Sequence, residues 1–143
     1  MTTEQKELLL KDLCVRLPYG VKVLNTADGL NEICELDSIM TSRKHKDKIF
    51  VSLTLPNDSI MTGIESIKPY LRSMSNMTEK ELEEYNSFVR KDFPNSFTWS
   101  GANILLVEFE NFLDWLNSHY FDYRGLIERG LAIAVTEENN PYK

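Results

Sequence analysis

The chain has 143 residues, 42% of them apolar and 27% charged, and its 16 basic against 22 acidic side chains leave a formal charge of −6. That length fits one domain, and the apolar and aromatic content excludes a disordered or low-complexity chain. The acidic surplus argues against a general nucleic-acid-binding protein, whose domain is normally basic.

Residues 3–17 carry Leu9, Leu10, Leu13 and Leu17 at helical spacing, with Glu4, Lys6, Glu7, Lys11 and Asp12 at polar positions. This pattern predicts an amphipathic helix. Thr2 and Gln5 have the spacing of a capping box, and Pro18 and Gly20 stop the helix. Val21-Lys22-Val23 then alternates as a strand does, and Asp28-Gly29 is a tight-turn pair. Leu30 to Ile39 reads as a strand whose alternation is imperfect, because Ile33, Cys34, Leu36 and Ile39 do not fall on one face. Ile49 to Leu55 is the clearest strand, with Ile49, Val51, Leu53 and Leu55 on one side, and Pro56-Asn57-Asp58 ends it. These segments predict a small twisted antiparallel sheet, for which a partly closed SH3-like barrel is one topology.

Ile60 to Arg72 reads as a mixed stretch with one helical turn broken at Pro69, Lys68 being pushed to extended backbone. Thr78 and Glu81 form a second capping box, opening a helix with Leu82, Tyr85, Phe88 and Val89 as its stripe and a stop at Lys91–Asn95. Residues 103–120 form the strongest helix candidate, with Leu105, Phe109, Phe112, Leu113, Leu116 and Tyr120 on one wide face. Asp122 reads as the cap of a short helix, Tyr123 to Arg129, ended by Gly130. Leu131 to Val135 reads as a strand or docking segment, and Glu137 to Lys143 as a loose polar tail. The fold class is therefore α+β in one globular domain, 1–143: an N-terminal helix (2–17), a β-rich part (18–72) and a helical part (73–143).

Apolar runs such as Ile104–Val107 are far short of the ~20 residues of a membrane span. The opening residues do not read as a secretory signal, so the cytoplasm is the expected compartment. Cys14 and Cys34 are then expected as reduced, packed thiols. Neither they nor His45 and His119 have metal-ligand spacing, and no cofactor motif is present.

Three groups of residues could carry function. His119 and Asp122 could pair as base and orienter, although the simpler role is a helix end and a cap. Tyr70 and Arg72, with Tyr123 and Arg124, are the residue types found at interface hot spots. Arg43, Lys44, Lys46 and Lys48 form a basic loop that is either a solvated hairpin or a phosphate-contacting surface. Carboxylate pairs such as Glu108/Glu110 and Glu83/Glu84 do not face one another on a helix, which leaves them as solvated surface.

Asp12-Leu13-Cys14-Val15-Arg16-Leu17-Pro18-Tyr19-Gly20-Val21 resembles a DLCARLPYGV motif, and Lys68 to Thr78 resembles KPYLRPMSSMT. Asp114-Trp115-Leu116-Asn117, with His119 to Ala132, resembles DWLNxHHFDYRGLIEKGLA. Together they resemble a family of small uncharacterised proteins from gut anaerobic bacteria and their prophages, with Ser73 in place of a proline and Tyr120 in place of the second histidine. The resemblance implies a prophage or mobile-element setting and supplies no activity. The expected function is that of a non-enzymatic accessory protein that binds another macromolecule, most simply a protein, at Tyr70, Arg72, Tyr123 and Arg124. The alternatives are a small hydrolase using His119 and Asp122, and a nucleic-acid-binding protein using the loop 43–48.

Overall fold

The computed structural model describes residues 1–89 and 99–143, with 99–106 described by backbone alone. The expected helix stop at Lys91–Asn95 and the side chain of Leu105 lie outside the described residues. Helix α1 (Thr3–Arg16) is followed by strands β1 (Lys22–Asn25), β2 (Glu32–Thr41), β3 (Ile49–Leu55), β4 (Asp58–Gly63) and β5 (Ile67–Leu71). Helices α2 (Glu79–Val89) and α3 (Trp99–Ser118) come next, and a two-residue strand β6 (Ile133–Ala134) closes the series. The fold is α+β. The six strands form one sheet in the order β4-β3-β2-β1-β5-β6, antiparallel except where β5 and β6 run parallel. Among the described residues the ladder runs from β4 to β6 without closing, so the sheet is open and the closure of an SH3-like barrel is not seen.

Both capping boxes form. Thr2 Oγ1 accepts from the Gln5 N–H while Gln5 Oε1 accepts from the Thr2 N–H, and Thr78 and Glu81 make the same exchange. One face of the sheet buries Val21, Val23, Cys34, Leu36, Val51 and Leu53 beneath Leu9 and Leu13 of α1. Such a face needs alternation along each strand, and β2 breaks it for a local reason. An extra residue lies between Leu36, opposite Leu53, and Ser38, opposite Ser52. This bulge moves the inward phase from Cys34 and Leu36 to Ile39, which is why Leu30–Ile39 alternates poorly in sequence. At the preceding hairpin, Asp28 (φ 54°) and Gly29 (φ 72°) supply the positive angles that the Asp-Gly pair predicts.

Residues 60–72 differ from expectation. They form β4, a single 3-10 turn and β5, and Pro69 is a strand residue opposite Val23. Proline is tolerated because β6 pairs only with Tyr70 and Leu71, so at Pro69 the strand has a neighbour on one side alone. The expected helix 123–129 is a series of turns. Gly125 (φ 71°) takes the left-handed conformation and ends any helix before it can propagate. The expected loose tail is instead anchored: Tyr142 stacks on Tyr120 at 3.8 Å, and its hydroxyl donates to Tyr70 O and accepts from Lys22 N–H. Cys34 is buried as expected, whereas Cys14 is exposed on α1. None of the described helices is long and apolar enough to cross a membrane.

Candidate functional site

Residues 68–72 and 119–124 meet through Arg72. Its backbone N–H donates to Tyr120 O and its carbonyl accepts from Asp122 N–H, both at 2.8 Å. The Arg72 guanidinium lies 4.4 Å from the Phe121 ring centroid and makes a bidentate pair with Glu81, both oxygens at 2.8 Å. Glu81 thus serves its helix cap and Arg72 together, and the guanidinium holds its carboxyl down at about 2. Tyr70 is buried, with its carbonyl engaged by Tyr142. The Tyr123 hydroxyl donates to Asn117, and its ring lies 5.5 Å from the Arg16 guanidinium and 5.2 Å from that of Arg124. Arg124 Nε stands 3.5 Å from the buried Asp12. The expected hot-spot residues are therefore engaged within the protein, where they join α1, β5 and the end of α3.

His119 and Asp122 do not pair as base and orienter. His119 Nδ1 lies 2.8 Å from Trp115 O, so this nitrogen carries the proton and donates to the carbonyl. The ring is held near Trp115 (4.7 Å) and Phe121 (6.2 Å). Asp122 spends both carboxylate oxygens on backbone, accepting from Leu126 N–H at 2.9 Å and Ile127 N–H at 2.8 Å. It is the expected cap, placed on a turn rather than a helix. His119 and Arg72 line a shallow recess of about 350 Å³ with Tyr120 and Tyr142. Asp122 and Tyr123 line a different groove, of about 600 Å³, against α2 and α3. No group of three or more His, Cys, Asp or Glu side chains among the described residues is placed to hold a metal ion.

The opposite face of the sheet is open and has a distinct chemistry. Residues paired across a ladder share a face, so Phe50 stands beside Met40 on β2, and Ser52 stands beside Met61 on β4. Met40 is 39%, Phe50 45% and Met61 63% exposed, large fractions for apolar side chains on adjacent strands. Ile33, 51% exposed, stands beside Leu24 toward the other end of this face. The other outward positions include Ser38, Ser52, Thr54 and the ion pair Lys22–Glu35.

The loop 42–48 joins β2 to β3 at the Met40–Phe50 end of this face. Its backbone is organised locally: Lys44 and His45 N–H donate to Ser42 Oγ, Lys48 N–H to His45 O, and Lys6 Nζ to Asp47 O. Arg43, Lys44, Lys46 and Lys48 are exposed and form no ion pair among the described residues. The basic loop was visible in sequence, but its apolar neighbours were not. Phe50 and Met40 follow from the inward set of β3 and from the bulge in β2, and only the first of these could have been read beforehand. No protein family, curated protein or solved structure matches this chain.

Proposed function

We propose that this is a non-enzymatic binding protein that engages a macromolecule through the open face of its sheet, at the end bearing the loop 42–48. The observation that carries the reading is the Met40–Phe50–Met61 group, three exposed apolar side chains on neighbouring strands of the face opposite α1. An apolar patch in water has a free-energy reason to be covered. The residues first expected to bind are occupied in joining elements to one another, which moves the contact surface to this face. Resemblance of the three sequence motifs to prophage-associated proteins supports an accessory role in a mobile element.

The test is site-specific photocrosslinking. A photoreactive residue is placed at Met61 or Met40, and at Lys11 and Glu128 as controls away from the face, and irradiated in extract of the producing cells. The expected result is discrete adducts from Met61 and Met40 that are weak or absent from the controls. Equal labelling at all four positions, or none at Met61 and Met40, overturns the reading.

A further inference from the structure

The geometry points to single-stranded nucleic acid as the partner of the open sheet face, an inference that rests on the binding role proposed above. Residues 73–143 hold 12 acidic and six basic side chains, whereas residues 18–72 hold seven of each. The overall −6 therefore resides outside the β-rich part, whose own charge divides into +3 on residues 43–48 and −3 elsewhere, so the favourable charge for an anionic ligand is confined to the loop end. Within that part, four of the seven basic residues are gathered in six positions of one loop, with Asp47 the only acid among them.

The second observation is what stands beside that charge. Lys48 precedes Phe50 by two residues, roughly 7 Å along an extended strand. Phe50 is exposed, and Met40 lies opposite it. A single strand offers a polyanionic backbone and unpaired bases whose flat faces stack on aromatic rings. Arg43, Lys44, Lys46 and Lys48 would take phosphates while a base stacks on Phe50, flanked by the polarisable thioethers of Met40 and Met61. The hydroxyls of Ser38, Ser52 and Thr54 extend the same face and can bond to base edges or sugars. A duplex hides its bases from Phe50 and would use the loop alone. An acidic polypeptide would satisfy the charges but offers the exposed ring nothing that any apolar side chain would not.

The experiment measures fluorescence anisotropy of a labelled mixed-sequence 15-nucleotide single strand, as RNA and as DNA, with the full chain. Four phosphate contacts predict that affinity falls roughly 50-fold between 50 and 200 mM salt. The double variant K44A/K46A should weaken binding and reduce that fall to roughly sevenfold, because two contacts remain. Phe50→Ala removes an exposed side chain and should leave folding intact, as checked by circular dichroism. It should weaken binding at least about fivefold with the salt dependence unchanged.

Absence of binding by the unaltered chain at 50 mM salt overturns the inference. So does binding that Phe50→Ala leaves unaltered, or binding of the duplex form as tight as that of the single strand. An acidic peptide of matched charge that binds as tightly, with the same loss in Phe50→Ala, makes the partner a polypeptide. That outcome defeats the nucleic-acid inference while the binding face stands. Failure of the crosslinking pattern defeats the face itself.

Discussion

Arg16 bonds to Asp12 one helical turn earlier through two hydrogen bonds of 2.7 and 3.0 Å, and both side chains are fully buried. Its second amino group also donates to Phe121 O at 2.8 Å, which fastens α1 to the exit of α3. Isolated charges are costly in such a place, and the pair persists because each neutralises the other. Asp12→Ala leaves two guanidiniums, Arg16 and Arg124, without their carboxylate. Urea denaturation should show a loss of about 3–5 kcal/mol. The double variant Asp12→Leu/Arg16→Met should be more stable than Asp12→Ala, because the fully buried Arg16 charge is then gone and only the partly exposed Arg124 lacks its carboxylate.

Glu81 ties acid sensitivity to the Arg72 junction. Its carboxyl is held at about 2 in the fold, by the Arg72 hydrogen bonds above all, and returns to the ordinary range near 4.5 on unfolding. Because the folded value is the lower, the stabilisation is complete above about pH 4.5 and is lost as pH falls toward 2. Solvent screens this partly buried pair, so the contribution is roughly 1–2 kcal/mol. Denaturation followed between pH 5 and 2 should show a steep decline. Glu81→Gln should be less stable at pH 5 and show a shallower decline below it.

The anchored tail predicts an alkaline response. Burial pushes the Tyr142 phenol well above its usual range, so the fold favours its neutral form. With the folded value raised, the stabilisation holds below about pH 10 and is lost as pH rises beyond it. Tyr142→Phe keeps the stack on Tyr120 but removes both hydroxyl bonds, at a cost of about 1–3 kcal/mol in thermal or chemical denaturation. Its stability should also decline less between pH 9.5 and 11 than that of the unaltered chain.

Asp122→Ala should destabilise by about 1–3 kcal/mol, because the N–H groups of Leu126 and Ile127 lose their acceptor in a largely buried turn. Hydrogen exchange at those two amides should accelerate as the turn opens. Unchanged exchange there would show that the carboxylate does not hold the turn.

Elements whose signals are local were legible in the sequence. The capping boxes at Thr2 and Thr78, the Asp28-Gly29 turn and strand β3 are each set by residues within a few positions of one another. What escaped depends on partners far along the chain. Asp12 looked like a solvent position on an amphipathic helix, because the carbonyl of Phe121 and the charge of Arg124 arrive from more than a hundred residues away. Pro69 read as a breaker, and only the shortness of β6 makes it acceptable in β5. The His119–Asp122 spacing fitted a catalytic pair, yet the nearer acceptor Trp115 O and the nearer donors of Leu126 and Ile127 satisfied both groups first. The candidate surface was half visible: its charges form a contiguous run, whereas Met40, Phe50 and Met61 come together only through strand register.

The bulge in β2 leaves the strand with a spare residue. Asp37 has no partner across the ladder, since Leu36 already faces Leu53 and Ser38 already faces Ser52. Deleting Asp37 would join these two rungs directly, so every side chain on both halves of the strand keeps its side of the sheet. Deleting Glu35 or Ile39 instead would also remove the bulge, but would turn Asp37 or Ser38 inward where an apolar residue stood. A one-residue deletion scan along β2 should therefore find tolerance at the bulge alone, at Asp37 or its neighbour Ser38. The shortened protein would carry a flatter ribbon, with Met40 and the basic loop re-aimed relative to Ile33 and its surface chemistry otherwise unchanged.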